Sequence, residues 1–140
     1  MDRIGDWLCT ASGKSFWPLD PRPEEVCVED IAHALSHLCR FGGHCSEFYS
    51  VADHSIRVAR LIKESGYPSQ AVLRALYHDG SEAYLVDVPR PLKRMIPLYK
   101  EYELKVQDAV FKFLGLPETS EFDAAIHSAD NVLLATEKRD

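Results

Sequence analysis

Glycine and proline interrupt this chain at Gly42-Gly43, at Gly66 and Pro68, at Pro89 and Pro91, and at Gly115 and Pro117. Between those breaks, apolar residues recur every three or four positions, the spacing of one face of an α-helix. Ile31, Leu35 and Leu38 form the first stripe, with Ala34 beside it. Val51, Ser55, Val58, Leu61 and Ile62 form the second, and Ala71, Val72, Ala75 and Leu76 the third. Leu98, Tyr102, Val106, Ala109, Val110 and Phe113 make the longest, and Phe122, Ile126, Ala129, Leu133 and Leu134 the last. The expected helices therefore run from 29 to the break at 40–43, from 52 to 64, from 69 with Ser69 as N-cap, from 98 to 114, and from 121 towards the C-terminus. Such stripes are buried by packing on one another, which predicts an all-α bundle of five to six helices.

The first 28 residues have no helical period. Pro18, Pro21 and Pro23 oppose regular helix before Glu24. Thr10 to Lys14 reads as a turn between Trp7-Leu8-Cys9 and Ser15-Phe16-Trp17, so a small β-hairpin is expected there. With 140 residues, 46% of them hydrophobic, and neither repeat nor linker, the chain reads as one domain over 1–140. Its net charge of −6 argues against coating duplex nucleic acid or an anionic membrane. No apolar run has the length of a membrane span and no leader pattern opens the sequence, so a cytoplasmic location is expected. Cys9, Cys27, Cys39 and Cys45 lack C-x-x-C spacing and read as reduced, structural cysteines.

Polar groups at inward-facing helical positions narrow the function. His54 sits near the start of the second helix, His78-Asp79 follows the third stripe, and Asp130 lies between the apolar residues of the last. A carboxylate in that setting is costly unless it is paired or bound to a metal. Imidazole nitrogens and carboxylate oxygens from facing helices are the material of bundle metal sites. If the third helix continues, Glu82 stands four residues past His78, on the same face. His44, next to Cys45, also precedes the His-Asp pair by a ligand-like interval and competes with His54. His33, His37 and His127 read as helix-surface residues.

Val51-Ala52-Asp53-His54-Ser55, His78-Asp79 and Ala129-Asp130 together resemble the H…HD…D signature of the HD-domain metal-dependent phosphohydrolases. Asp79-Gly80-Ser81-Glu82-Ala83 and Asp87-Val88-Pro89-Arg90-Pro91-Leu92-Lys93 resemble its nucleotide-hydrolysing branch. That branch includes bacterial 5′-deoxynucleotidases and phage dATP triphosphohydrolases. The similarity covers roughly residues 28 to 139, with Asp53-His54 in place of the more usual Glu-His. It implies one divalent metal ion held by His54, His78, Asp79 and Asp130. It also implies Glu82 and Asp87 as catalytic acids and bases, and Arg40, Phe41 and Lys93 as substrate-binding residues, with Trp17 the alternative to Phe41. The implied substrate is a small-molecule nucleotide, either dNMP or dNTP, with a cyclic-nucleotide or alarmone hydrolase and a degenerate HD domain that only binds nucleotide or serves as a scaffold as the alternatives. A homo-oligomer (a dimer or larger) is also implied, for which the fourth helix could supply a contact. The hairpin and Gly42-Gly43-His44 resemble a prophage-associated subgroup of bacterial hosts, whose members continue past Asp140 with a further helix.

Overall fold

A computed structural model describes residues 2–116 and 119–139 of the chain. A two-stranded antiparallel hairpin comes first: β1 (Leu8–Cys9) pairs with β2 (Ser15–Phe16), setting Leu8 opposite Phe16 and Cys9 opposite Ser15. Among the described residues seven α-helices follow: α1 (Val28–His37), α2 (Val51–Glu64), α3 (Ser69–Leu76), α4 (Glu82–Leu85), α5 (Arg90–Lys93), α6 (Pro97–Phe113) and α7 (Ser120–Arg139). Five are long and two are single turns, so the architecture is the expected all-α bundle with a small N-terminal hairpin. Among the described residues, no helix is long and apolar enough to cross a membrane.

The apolar faces meet in two clusters. Phe16, Val26, Ile31, Leu35, Val51, Tyr84, Val106, Ala109 and Val110 join the hairpin to α1, α4 and α6. Val58, Ala59, Ile62, Ala71, Ala75 and Ile126 join α2, α3 and α7. Helix α2 contributes to both, and His54 lies on it between Val51 of the first cluster and Val58 of the second. The hairpin is part of the core. Phe16 is fully buried and stacks on Tyr84 with ring centroids 3.8 Å apart. Ser12 ties the turn to α1, donating from its backbone N–H at 2.7 Å and its hydroxyl at 2.9 Å to the buried Asp30 carboxylate. Removal of such a ring leaves a cavity, and Phe16→Ala is expected to destabilise the fold by about 3–5 kcal/mol. Chemical denaturation followed by far-UV circular dichroism measures this.

Four local expectations need correction. The first helix stops at His37, before the glycines, because Leu38 turns extended and Cys39 bridges to Ser50. Arg40 N–H then bonds the Tyr49 carbonyl at 2.7 Å, and Arg40–Gly43 forms a 3₁₀ turn in which Phe41 takes a left-handed φ of 58°. Ser69 is the first residue of α3 and not its cap; Pro68 precedes it without a side-chain bond. A hydroxyl cap serves α2 instead, where Ser50 Oγ accepts from the Asp53 N–H at 3.0 Å.

The third correction matters most for the site. Helix α3 ends at Leu76, so His78-Asp79 lie in a tight turn and Glu82 opens a separate helix. Gln107 of α6 holds that turn, accepting from Ser81 N–H at 2.9 Å and donating to the Tyr77 carbonyl at 2.7 Å. Gly80 lets α6 come this close, since a Cβ there would stand 3.0 Å from the Tyr77 oxygen and 3.2 Å from Val110. Finally, the fourth stripe is buried only at Val106, Ala109 and Val110; its ends, Leu98 and Phe113, are 56% and 42% exposed. Pro117, expected to close that helix, lies outside the described residues.

Candidate metal centre

His54 is held by two carboxylates. Its Nε2 stands 2.7 Å from Asp130 Oδ1 of α7 and its Nδ1 2.8 Å from Glu137 Oε2, two turns further along that helix. An ionised carboxylate only accepts, so these two contacts favour a proton on each ring nitrogen. Burial disfavours that charge, but the bonds to Asp130 and Glu137 outweigh it and raise the His54 pKa above its ordinary value. His78 projects from the turn after α3. Its Nδ1 donates to the Ala75 carbonyl at 2.7 Å, which aims Nε2 at the same spot.

Nε2 of His78 is buried and has no well-directed hydrogen bond, although Asp79 Oδ2 is 3.1 Å away and Asp130 Oδ1 3.7 Å. Burial opposes a charge on His78, and Asp79 and Asp130 overcome it, pushing its pKa up to about 10. Asp130 and Asp79 answer in kind: burial resists their ionisation, and the two histidines hold both below the usual carboxylate range.

One ligand atom from each of His54, His78 and Asp79 lies within 4.8 Å of the other two, and this cluster could hold a metal ion. Asp130 Oδ1 adjoins both imidazoles of the group. Ligands about 2.1 Å from one cation stand roughly 3.0–3.5 Å apart, against nitrogen–oxygen spacings of 2.7 to 3.9 Å here, and two nitrogens with two oxygens suit a divalent first-row ion. The orphaned Nε2 of His78 is what a cation would satisfy. Uptake must displace the protons now held between imidazoles and carboxylates. Cation affinity is therefore expected to rise with pH from 6 to 9, by up to about tenfold per unit for each proton released. Calorimetric titration with Mn²⁺ in buffers of different ionisation enthalpy counts those protons.

A cavity of about 570 Å³ opens over the cluster, with His78, Asp79 and Asp130 in its lining. Glu82, Asp87, Arg40, Phe41 and Lys93 line it as well, while His54 is fully buried and is not part of the lining. Glu82 is 7% exposed. Burial, then repulsion from Asp79 and Asp87 and a hydrogen bond with Asp87, raises its pKa well above the ordinary carboxylate range. Between the two acids, Val86 adopts φ 61° and ψ 176°, a strained region for a β-branched residue. Tyr99 Oη donates to the carbonyls of Leu85 at 3.2 Å and Val86 at 2.8 Å and latches this bend.

Both expected phosphate-binding cations are already paired. Lys93 Nζ lies 2.9 Å from Glu103, and Arg40 Nη2 lies 2.9 Å from Glu137. The Arg40 guanidinium also packs 4.9 Å from the centre of the Phe41 ring, and its Nε is buried without a partner. His44 is exposed at the cavity wall and outside the ligand cluster, while Cys45 faces Cys39 with sulfurs 3.4 Å apart. Trp17 lies under Arg3, 4.0 Å from its guanidinium, and is not part of the lining. Glu137, Glu103 and Gln107 escaped the sequence reading. Glu137 had one legible mark: it follows Asp130 by seven residues, two turns along the same helix face.

No family model matches the chain. It is 40% identical over 134 residues to the uncharacterized protein YfdR of Escherichia coli K12, a match covering 96% of this chain and 71% of that one. This chain belongs to the YfdR family. Similarity to an uncharacterized protein of Rhodobacter capsulatus is 35% over 133 residues, or 90% of the chain and 68% of that protein. The YfdR match spans nearly the whole chain, hairpin and helices alike.

Proposed function

We propose that this chain is a metal-dependent phosphohydrolase acting on (deoxy)nucleotides. One observation carries the proposal: two imidazoles and two carboxylates converge beside a cavity whose wall holds Glu82, a buried carboxyl with a raised pKa. The resemblance to HD-domain phosphohydrolases gives the same reading from sequence. A bound divalent cation would supply Lewis acidity, activating water and offsetting charge on the phosphoryl group. Around it, Glu82 would accept the proton of the attacking water. Asp87, hydrogen-bonded to it, would steer that water or return a proton to the leaving oxygen. Arg40 would offer its unpartnered Nε–H to a phosphate oxygen, and Phe41 would lie against base or sugar.

Arg40 and Lys93 each hold a carboxylate already, which favours a monophosphate over a triphosphate. The same reading has the enzyme cytoplasmic and homo-oligomeric. The deciding experiment is a product assay across dNMPs, dNTPs and NTPs with Mn²⁺, Co²⁺, Zn²⁺ and Mg²⁺. Inorganic phosphate from dNMPs is the expected product; triphosphate release from dNTPs would move the enzyme to the other branch. No cleavage with any metal would end the hydrolase reading.

A further inference from the structure

Glu137 is joined to two groups that the reaction uses separately. One oxygen accepts from Nδ1 of His54 at 2.8 Å, and the other accepts from Nη2 of Arg40 at 2.9 Å. The side chains of His54, Glu137 and Arg40 are 0%, 7% and 12% exposed, so solvent cannot readily replace either bond. A carboxylate on Nδ1 keeps the proton there and leaves the Nε2 lone pair for a cation, besides fixing the plane of the ring. On the other side the carboxylate balances a guanidinium that would otherwise be buried unpaired, and it aims Arg40 at the cavity.

We infer that Glu137 is a positioning residue that sets the cation-binding imidazole of His54 and the anion-binding guanidinium of Arg40 in one fixed relation. The inference rests on the metal-dependent reading above. It adds that one acidic side chain near the end of α7 serves both halves of the site. Glutamine at 137 can accept from only one partner and lacks the charge to balance Arg40. Outer-shell partners of this kind affect metal affinity by about 10–100-fold.

The test uses the full chain, Co²⁺ as metal probe and inorganic phosphate as anion probe. For Glu137→Gln, calorimetry should show a ~10–100-fold loss of Co²⁺ affinity. The visible absorption of the residual Co²⁺ complex should shift, and the Co²⁺-loaded protein should bind phosphate several-fold more weakly. Arg40→Ala should weaken phosphate while holding Co²⁺ affinity within about threefold, a split that general loosening of α7 would not give. Thermal unfolding establishes that each variant is folded. If Glu137→Gln does not fold, Glu137→Asp, which keeps the charge but not the reach, should show the same double loss. A folded variant that binds Co²⁺ as the parent does, or that loses Co²⁺ but not phosphate affinity, overturns the inference. Wild-type protein that takes up no divalent ion would instead overturn the metal-dependent reading on which it stands.

Discussion

On the metal-dependent reading, Asp130→Ala is expected to leave the purified protein without a bound divalent cation and without measurable turnover. Asp130 Oδ1 is close to both imidazoles, 2.7 Å from Nε2 of His54 and 3.7 Å from Nε2 of His78, and makes the shorter contact with His54, which Asp79 Oδ2 approaches only to 3.9 Å. The loss should exceed the roughly 10–100-fold that follows removal of an outer-shell partner, because a ligand itself is gone. Elemental analysis and Mn²⁺ calorimetry measure it. The metal-free variant should also be less stable than the metal-free parent, since two buried imidazoles lose one of the two carboxylates they share. Asp130 ionises more readily in the fold than in the unfolded chain. Its stabilisation is therefore complete above the ordinary Asp value of about 4 and drains away as pH falls below it. The parent and the variant should converge in stability towards acid. Full cation content in folded Asp130→Ala would remove this residue from the ligand set.

Glu82→Gln should fail differently, keeping the cation while turnover drops by about 10²–10⁴, the usual worth of a positioned acid or base. Glutamine is close to glutamate in size, and Glu82 is not a member of the ligand cluster. The pH profile carries the sharper signature. A base works only when deprotonated, and burial with Asp79 and Asp87 nearby raises the Glu82 pKa. Parent activity should thus climb with pH through a limb well above the normal carboxylate range, and the limb should vanish in the variant. A nearby dication counteracts part of the shift, so the limb should sit lower with metal bound than the metal-free protein would give. Unchanged turnover in Glu82→Gln would take this residue out of the mechanism.

Several of these features were readable from residue order alone, and the reason is that they are local. Helical stripes such as Val51, Ser55 and Val58 bury themselves whatever lies opposite, so the bundle and the hairpin could be anticipated. The same logic put His54 and Asp130 on inward faces. What escaped is set by partners distant in sequence. The end of α1 depends on the bridge from Cys39 to Ser50. The break between Leu76 and Glu82 depends on Gln107, 26 residues beyond Ser81, which supplies bonds that a continuing helix would have made internally. Glu137 meets Arg40 across 97 positions, and no periodicity reports a meeting of that kind. The ends of the α6 stripe, Leu98 and Phe113, fit a helical template and yet face solvent, because periodicity marks a face without saying how much of it is covered.

The bend at Val86 has a consequence for how Glu82 and Asp87 behave together. A valine released from φ 61° would relax to an extended conformation and swing Asp87 off the cavity wall. What prevents this is a phenol reaching back from Tyr99, 13 positions along the chain. On the proposed reading the two acids would therefore act as a sprung pair. Their meeting is kept by a catch on a neighbouring helix, and letting go of that catch would silence both at once.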